Sequence, residues 1–168
     1  MFLDESGCST EMTRTHGRAL GGRRVPDAVP GGHWKTLTVI GALNHHGMLA
    51  AMTIEAATDR EVFLAFLDEV LGPKLKSGDV LVLDNLSTHK VDGVRKRVEA
   101  AGARLLYLPP YSPDLNPIEK AWSKLKTMLR SAKARTADAL HKAIEDLLPA
   151  ITPNDAQAWF RLPLNAMQ

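Results

Sequence analysis

The stretch DVLVLDNLSTHK, residues 79–90, sets the pattern on which the predicted fold depends. Its four consecutive apolar residues, 80–83, are typical of a strand that is buried on both faces of a sheet. Asp84 and Asn85 follow this strand directly. Because a carboxylate at the end of a buried strand loses much of its hydration, we expect Asp84 to have a charged or metallic partner.

The elements around this strand predict one α/β domain over residues 1–168. FLDES begins a first strand, and glycines and prolines make residues 7–34 irregular. The segments with regular spacing are a hairpin at 36–55 with a four-residue NHHG turn, a helix at 59–75, a helix at 90–102, a strand at 103–109, a helix from Pro117, and helices at 136–149 and 153–161. Antiparallel strands followed by βαβ units predict a mixed sheet flanked by helices.

The composition is that of an ordinary globular protein: 45% apolar and 24% charged residues, with a formal net charge of +2. The single cysteine, Cys8, excludes an internal disulfide and fits a reducing compartment. No apolar run approaches the roughly 20 residues that a membrane-spanning helix needs. Asp4 and Glu5 stand where a signal peptide would be basic. We therefore expect a cytoplasmic protein without a membrane partner.

Three carboxylates occupy positions that favour shared chemistry. Asp4 lies in the first strand, Asp84 ends the fourth, and Glu119 lies in the first turn of the helix after the fifth. If the first and fourth strands are neighbours, the two aspartates meet, and the helix brings Glu119 beside them. Converging carboxylates repel one another, and a divalent cation removes that conflict. Oxygen ligands favour Mg²⁺ or Mn²⁺ over Zn²⁺, and two such ions about 4 Å apart are suited to phosphoryl transfer.

Each of these carboxylates also has a purely structural interpretation. A helix dipole favours Glu119 at the third helical position, and Asn116 is expected to cap that helix, with a capping box between the two. His45 and His46 fall in the predicted hairpin turn, which favours exposed polar side chains over ligands. The combination of three carboxylates in the appropriate elements is what favours a metal site.

A basic run follows Glu119, with no acidic residue between positions 120 and 135. Its members are Lys120, Lys124, Lys126, Arg130, Lys133 and Arg135. A solvated helix face explains this charge as well as a functional surface does. The functional alternative is that the run forms a positively charged surface that binds an anionic ligand.

Three segments of the chain resemble a known family. FLDES, LDNLSTHK and LLYLPPYSPDLNPIEKAWSKLK are similar to the catalytic domain of IS630-type DDE transposases, in the IS630/Tc1/mariner group. The 34 residues between Asp84 and Glu119 match the spacing of that group. The resemblance implies an RNase H-like fold with a five-stranded sheet of order 3-2-1-4-5. It also implies catalytic, metal-binding roles for Asp4, Asp84 and Glu119 with two Mg²⁺ or Mn²⁺ ions. Supporting roles are implied for Asn85, His89, Tyr111 and Asn116.

The same resemblance implies DNA as the substrate. The functional hypothesis for the basic run is then that it contacts the DNA backbone without reading its sequence, in particular through Lys120, Lys124, Lys126, Arg130 and Lys133. Water would attack a phosphodiester at the transposon end, and the freed 3′-hydroxyl would attack target DNA, typically at a TA dinucleotide, within a homo-oligomer on DNA. Family members carry upstream helix-turn-helix domains, so we expect this chain to lack those domains and the start of its first strand. Two alternatives remain open: a non-catalytic transposase fragment that binds DNA or a full-length partner, and an RNase H-type nuclease that acts on RNA.

Overall fold

The computed structural model describes residues 1–85 and 93–165, with side chains described as far as residue 161. Five strands form one sheet in the order β3-β2-β1-β4-β5. They are β1 Phe2–Ser9, β2 Thr36–Asn44, β3 Gly47–Ile54, β4 Val80–Leu83 and β5 Arg104–Tyr107. The first three strands pair antiparallel, whereas β4 runs parallel to both β1 and β5. This topology confirms the mixed sheet and the strand order that were predicted.

Among the described residues, five α-helices accompany the sheet. They are α1 Arg60–Ala65, α2 Val94–Ala100, α3 Ile118–Ala132, α4 Ala137–Leu147 and α5 Pro153–Asn165. The chain after α1 continues as a π-helical turn, Phe66–Leu71, and then as a 3₁₀ turn, Gly72–Lys74. Asp59 caps α1 by accepting a hydrogen bond from the Val62 backbone N–H, and Gly102, with a φ of 74°, follows the end of α2.

The sheet lies between two apolar layers, and this arrangement decides where polar side chains emerge. One layer, which includes Leu3, joins the sheet to α1, its π-helical continuation and α2. The other, which includes Cys8 and Trp122, joins the sheet to α3, α4 and α5. Successive side chains of a strand face opposite sides, so Asp4, next to Leu3, lies on the α3 side of the sheet.

Several boundaries differ from the sequence-based prediction, among them those of the fifth strand, which was predicted over 103–109 and spans Arg104–Tyr107. Strand β1 extends to Ser9, beyond FLDES, because residues 7–9 continue the antiparallel pairing with β2. The hairpin turn contains two residues, His45 and His46, rather than four, and both are exposed as expected. Helix α5 extends beyond the predicted end at residue 161 to Asn165.

Candidate active site

The register of two neighbouring strands brings Asp4 and Asp84 side by side. In the parallel pairing of β1 with β4, Phe2 lies opposite Val82 and Leu3 lies opposite Leu83. The next residue on each strand is an aspartate, so both carboxylates emerge at the same point of the sheet. Each carboxylate raises the other's local negative potential, and the charge of Asp84 contributes to the raised pKa of Asp4.

Asp4 is the most perturbed carboxyl group of the site. Its side chain is only 7% exposed, and burial raises its pKa from 3.8 to about 7. The Glu5 backbone N–H opposes this rise by donating a hydrogen bond of 2.8 Å to Oδ1, whereas the charges of Glu119 and Asp84 add to it. A buried carboxyl group whose pKa is raised by two other carboxylates is a common feature of catalytic and metal-binding sites.

Helix α3 brings Glu119 to the two aspartates because the indole ring of Trp122, on this helix, packs on Gly41 of the sheet. Trp122, one helical turn after Glu119, lies over Gly41, and Gly41 is the cross-strand partner of Asp4. A Cβ atom at position 41 would meet Cη2 of this tryptophan at 2.6 Å, closer than real Cβ contacts. The missing side chain therefore allows α3 to lie close to the sheet, and the exposed Glu119 projects from its first turn.

Asn116 does not cap α3, and the capping prediction is therefore wrong. The N-cap position is Pro117, and the 95% buried Asn116 side chain turns away from the helix to donate a 3.1 Å hydrogen bond from Nδ2 to Asp4 Oδ2. Only its backbone carbonyl serves the helix, by accepting the Glu119 N–H at 3.1 Å. The Asn116 side chain instead forms a hydrogen bond with the buried carboxylate of Asp4, 112 residues away in the sequence.

An open cavity of about 270 Å³ adjoins these carboxylates. Its lining includes Asp84, Asn85, Tyr111, Asn116 and Glu119. Tyr111 is fully exposed and has a φ of 55°, a left-handed conformation that is strained for a non-glycine residue. The structure therefore places three of the four predicted supporting residues beside the carboxylates. His89 lies outside the described residues.

The donor set of the site fits a hard divalent cation. Asp4, Asp84 and Glu119 supply carboxylate oxygens, the ligand type that Mg²⁺ and Mn²⁺ prefer. Across residues 1–85 and 93–165, however, no three His, Cys, Asp or Glu side chains are already grouped tightly enough to hold a metal ion. The three carboxylates are within electrostatic reach of one another but do not form a preassembled cage, as expected for like charges.

Two lysines of the predicted DNA-binding run are engaged within the chain. Lys124 donates from Nζ to Asp155 at 2.6 Å and to the Ala150 carbonyl at 2.9 Å, which ties α3 to the start of α5. This hydrogen bond is the largest cause of the lowering of the Asp155 pKa to about 2. Lys133 donates to Asp27 at 2.7 Å. These contacts give Lys124 and Lys133 structural partners that the sequence did not reveal.

The other basic side chains of α3 are better placed for a ligand. Lys126 and Arg130 follow Glu119 by seven and eleven residues, so at 3.6 residues per turn all three lie on one helix face. Lys120 is exposed at the start of the same helix. Within the described ranges, Lys120, Lys126 and Arg130 take part in no ion pair. A row of positive charge thus extends away from the carboxylates along α3.

Known proteins are similar in sequence to most of this chain. Residues 1–141 match the family described as DDE superfamily endonuclease. The Tc1 transposase of Caenorhabditis elegans is 29% identical over 120 residues, which are 69% of this chain and 44% of that protein. The Tcb1 transposase of Caenorhabditis briggsae is 26% identical over 137 residues, or 79% and 46% of the two chains. This chain therefore spans less than half the length of these relatives.

Solved structures show the same fold. The Mos1 transposase paired-end complex with left transposon end superposes with a TM-score of 0.77 at 16% identity, covering 98% of this chain and 52% of that one. The mariner Mos1 paired end complex with Mg gives a TM-score of 0.69 at 16% identity, covering 97% and 52%. Within the described ranges, no helix has both the length and the apolar character that a membrane crossing requires. With its RNase H-like sheet and its match over residues 1–141, the chain belongs to the DDE superfamily endonucleases.

Proposed function

We propose that this chain is the catalytic domain of a transposase that cleaves DNA strands and transfers them with the help of divalent metal ions. The observation that carries the proposal is the buried carboxyl group of Asp4, whose pKa is raised by burial and by the charges of Glu119 and Asp84, two carboxylates that line a cleft next to the end of β4. Two Mg²⁺ or Mn²⁺ ions in such a site would activate an attacking oxygen and stabilise the leaving oxygen of a phosphodiester. Mos1 complexes with Mg and with Mn support this choice of ions.

The three carboxylates are proposed as the ligands of these ions, each held by a different element. Asp4 comes from a central strand and is fixed by two hydrogen bonds. Asp84 comes from the end of β4, and Glu119 from the first turn of α3. Asn85 and Tyr111 line the same cleft and would contact the substrate there, the ring of Tyr111 being large, exposed and available to stack on a base. A supporting role for His89 remains part of the proposal on sequence grounds.

The DNA backbone is proposed to follow the face of α3 that bears Glu119, Lys126 and Arg130. Positive side chains on that face offset the repulsion between the phosphates and the carboxylates. Lys120 adds charge near the active site, whereas Lys124 and Lys133 contribute through their ion pairs to the structure around it. Contacts of this kind position the duplex without reading its sequence.

The finer aspects of the substrate follow from the family. We propose that transposon ends and a TA target dinucleotide are the substrates, that a homo-oligomer holds the DNA, and that the chain works in the cytoplasm, where Cys8 stays reduced. The paired-end complex of Mos1 with its left transposon end supports an assembly that holds transposon ends. A non-catalytic fragment is the second candidate, because the chain spans only 44–46% of its transposase relatives.

The experiment compares metal-dependent cleavage by the unaltered chain and by Asp84→Asn on three substrates: supercoiled DNA, a linear transposon-end DNA and an RNA–DNA hybrid. The amide nearly keeps the shape of the carboxylate but removes its charge, so we expect nicking with Mg²⁺ or Mn²⁺ to disappear in the variant. Asp138→Asn, at an exposed position in the first turn of α4, is the matched control and should cleave normally.

Three results would contradict the proposal in different ways. Equal DNA cleavage by Asp84→Asn would remove the metal role of that carboxylate. Binding of DNA without cleavage in any metal would support the non-catalytic alternative. Cleavage of the RNA strand of the hybrid, with DNA left intact, would favour the nuclease of the RNase H type.

A further inference from the structure

Asn116 forms hydrogen bonds with two residues of the proposed metal site, Asp4 and Glu119, through different atoms. Its side-chain Nδ2 donates to Asp4 Oδ2 at 3.1 Å, whereas its backbone carbonyl accepts the N–H of Glu119 at 3.1 Å. Asp4 belongs to the central strand β1, and Glu119 belongs to the helix on the other side of the cleft. A single residue thus connects the two elements whose carboxylates must converge.

The contact with Asp4 fixes the carboxylate without using up its oxygens. Oδ1 accepts the Glu5 backbone N–H at 2.8 Å, and Oδ2 accepts the Asn116 amide. Since each carboxylate oxygen can accept two hydrogen bonds, each keeps capacity for a cation after these bonds are made. The orientation of Asp4 is therefore set before any ligand arrives, which is the condition for a preorganised site.

Asn116 occupies this position at a cost to its own hydrogen bonding. The residue is 5% exposed, and its Oδ1 has no hydrogen-bond partner within the described part of the chain. The amide donates from Nδ2 to Asp4, and this orientation leaves Oδ1 unpaired. Buried polar groups are seldom left unpaired in proteins, and such exceptions are often found where function requires the residue.

We propose that Asn116 is a positioning residue that couples Asp4 to Glu119, so that the two carboxylates bind one divalent cation together. The inference rests on the proposed function, because it assigns Asn116 a role at the metal site that the function requires. The residue acts through Asp4 and through the start of α3, and does not contact the reacting atoms. Removing the Asn116 side chain leaves the hydrogen bond from the Glu119 N–H to the Asn116 carbonyl but removes the hydrogen bond to Asp4 Oδ2.

The test measures Mn²⁺ affinity by titration calorimetry, together with thermal unfolding in EDTA. Asn116→Leu replaces the amide with an apolar group of similar shape, and Asn116→Ala removes it. We expect both variants to bind Mn²⁺ about 10 to 100 times more weakly, the range found when residues that orient metal ligands are replaced. Asn154→Ala, an exposed asparagine in the first turn of α5, is the matched control and should bind as the unaltered chain does.

The two readouts separate positioning from folding. A tenfold or larger loss of Mn²⁺ affinity in a leucine variant that still melts cooperatively in EDTA supports the proposal, because a purely structural role would change the melting temperature and leave the affinity of the folded protein intact. Unaltered Mn²⁺ affinity in both variants would overturn it while leaving the proposed function standing. No Mn²⁺ binding by the unaltered chain, or equal binding by Asp84→Asn, would overturn the proposed function and this inference with it.

Discussion

Replacing Asp4 with asparagine should make the chain more stable at neutral pH while destroying its metal site. Burial and the neighbouring carboxylates raise the pKa of Asp4 from 3.8 to about 7 in the folded chain. Between these two values the unfolded chain has released the proton that the folded chain still holds. The folded state therefore binds more protons, and the free energy of unfolding falls as the pH rises toward 7.

The size of this effect follows from the pKa shift. Each pKa unit corresponds to about 1.4 kcal/mol, so the two units between pH 5 and pH 7 contribute roughly 3 kcal/mol. Asparagine does not titrate. The variant also loses one of the two hydrogen bonds to the carboxylate, which costs about 1 kcal/mol at every pH and cancels from the comparison between pH values.

The assay is urea unfolding of the unaltered chain and of Asp4→Asn in EDTA, at pH 5 and at pH 8. We expect the stability of the variant relative to the unaltered chain to increase by about 2–3 kcal/mol between the two pH values. Glu69→Gln, an exposed carboxylate in the π-helical turn on the far side of the sheet, should show no such change. A stability difference for Asp4→Asn that is the same at both pH values would refute the argument.

Three further predictions follow from the packing and charge around α3. Gly41→Ala should lower the free energy of unfolding by about 1–3 kcal/mol, because its methyl group would meet the indole of Trp122 at 2.6 Å. The control Gly7→Ala, whose added methyl group has its nearest atom at 3.7 Å, should change the free energy of unfolding by less than about 0.5 kcal/mol. Equal effects of the two substitutions in urea titrations would contradict this packing. Replacing Lys126 and Arg130 together with alanine should reduce the slope of log affinity against log salt for duplex DNA by about 2, and an unchanged slope would mean that both face solvent only. Lys124→Met should lower the melting temperature, because it breaks the ion pair to α5, but leave the salt slope as it was; a reduced slope at unchanged stability would show that Lys124 contacts DNA instead.

The meeting of Asp4 and Asp84 was predictable from the sequence. Each follows an apolar strand segment, and period-two alternation together with a parallel register puts both on the same face of neighbouring strands. The sequence also gives the separation between Asp84 and Glu119 and predicts a helix that begins near Glu119. The alternation of side chains along a strand does not predict the strand order, which the family resemblance implied.

The contacts that hold α3 in place were not predictable in the same way. Asn116 precedes a helix and therefore suggests a cap, but a side chain in that position can equally bond a distant carboxylate, and only the packed structure decides between them. Gly41 stands opposite Asp4 because of the register between β1 and β2, for which the sequence carries no signal. The ion pair of Lys124 likewise depends on how α5 docks against α3.

The most direct test of the account is the anomalous diffraction signal of Mn²⁺ in a crystal of this chain soaked in the metal. We expect anomalous peaks within about 2.0–2.6 Å of carboxylate oxygens of Asp4, Asp84 and Glu119, the distances that hard divalent cations keep from oxygen ligands. Asp84→Asn crystals soaked in the same way should lose these peaks. Peaks elsewhere on the chain, or none between these three carboxylates at saturating Mn²⁺, would contradict the central claim that they form a metal site.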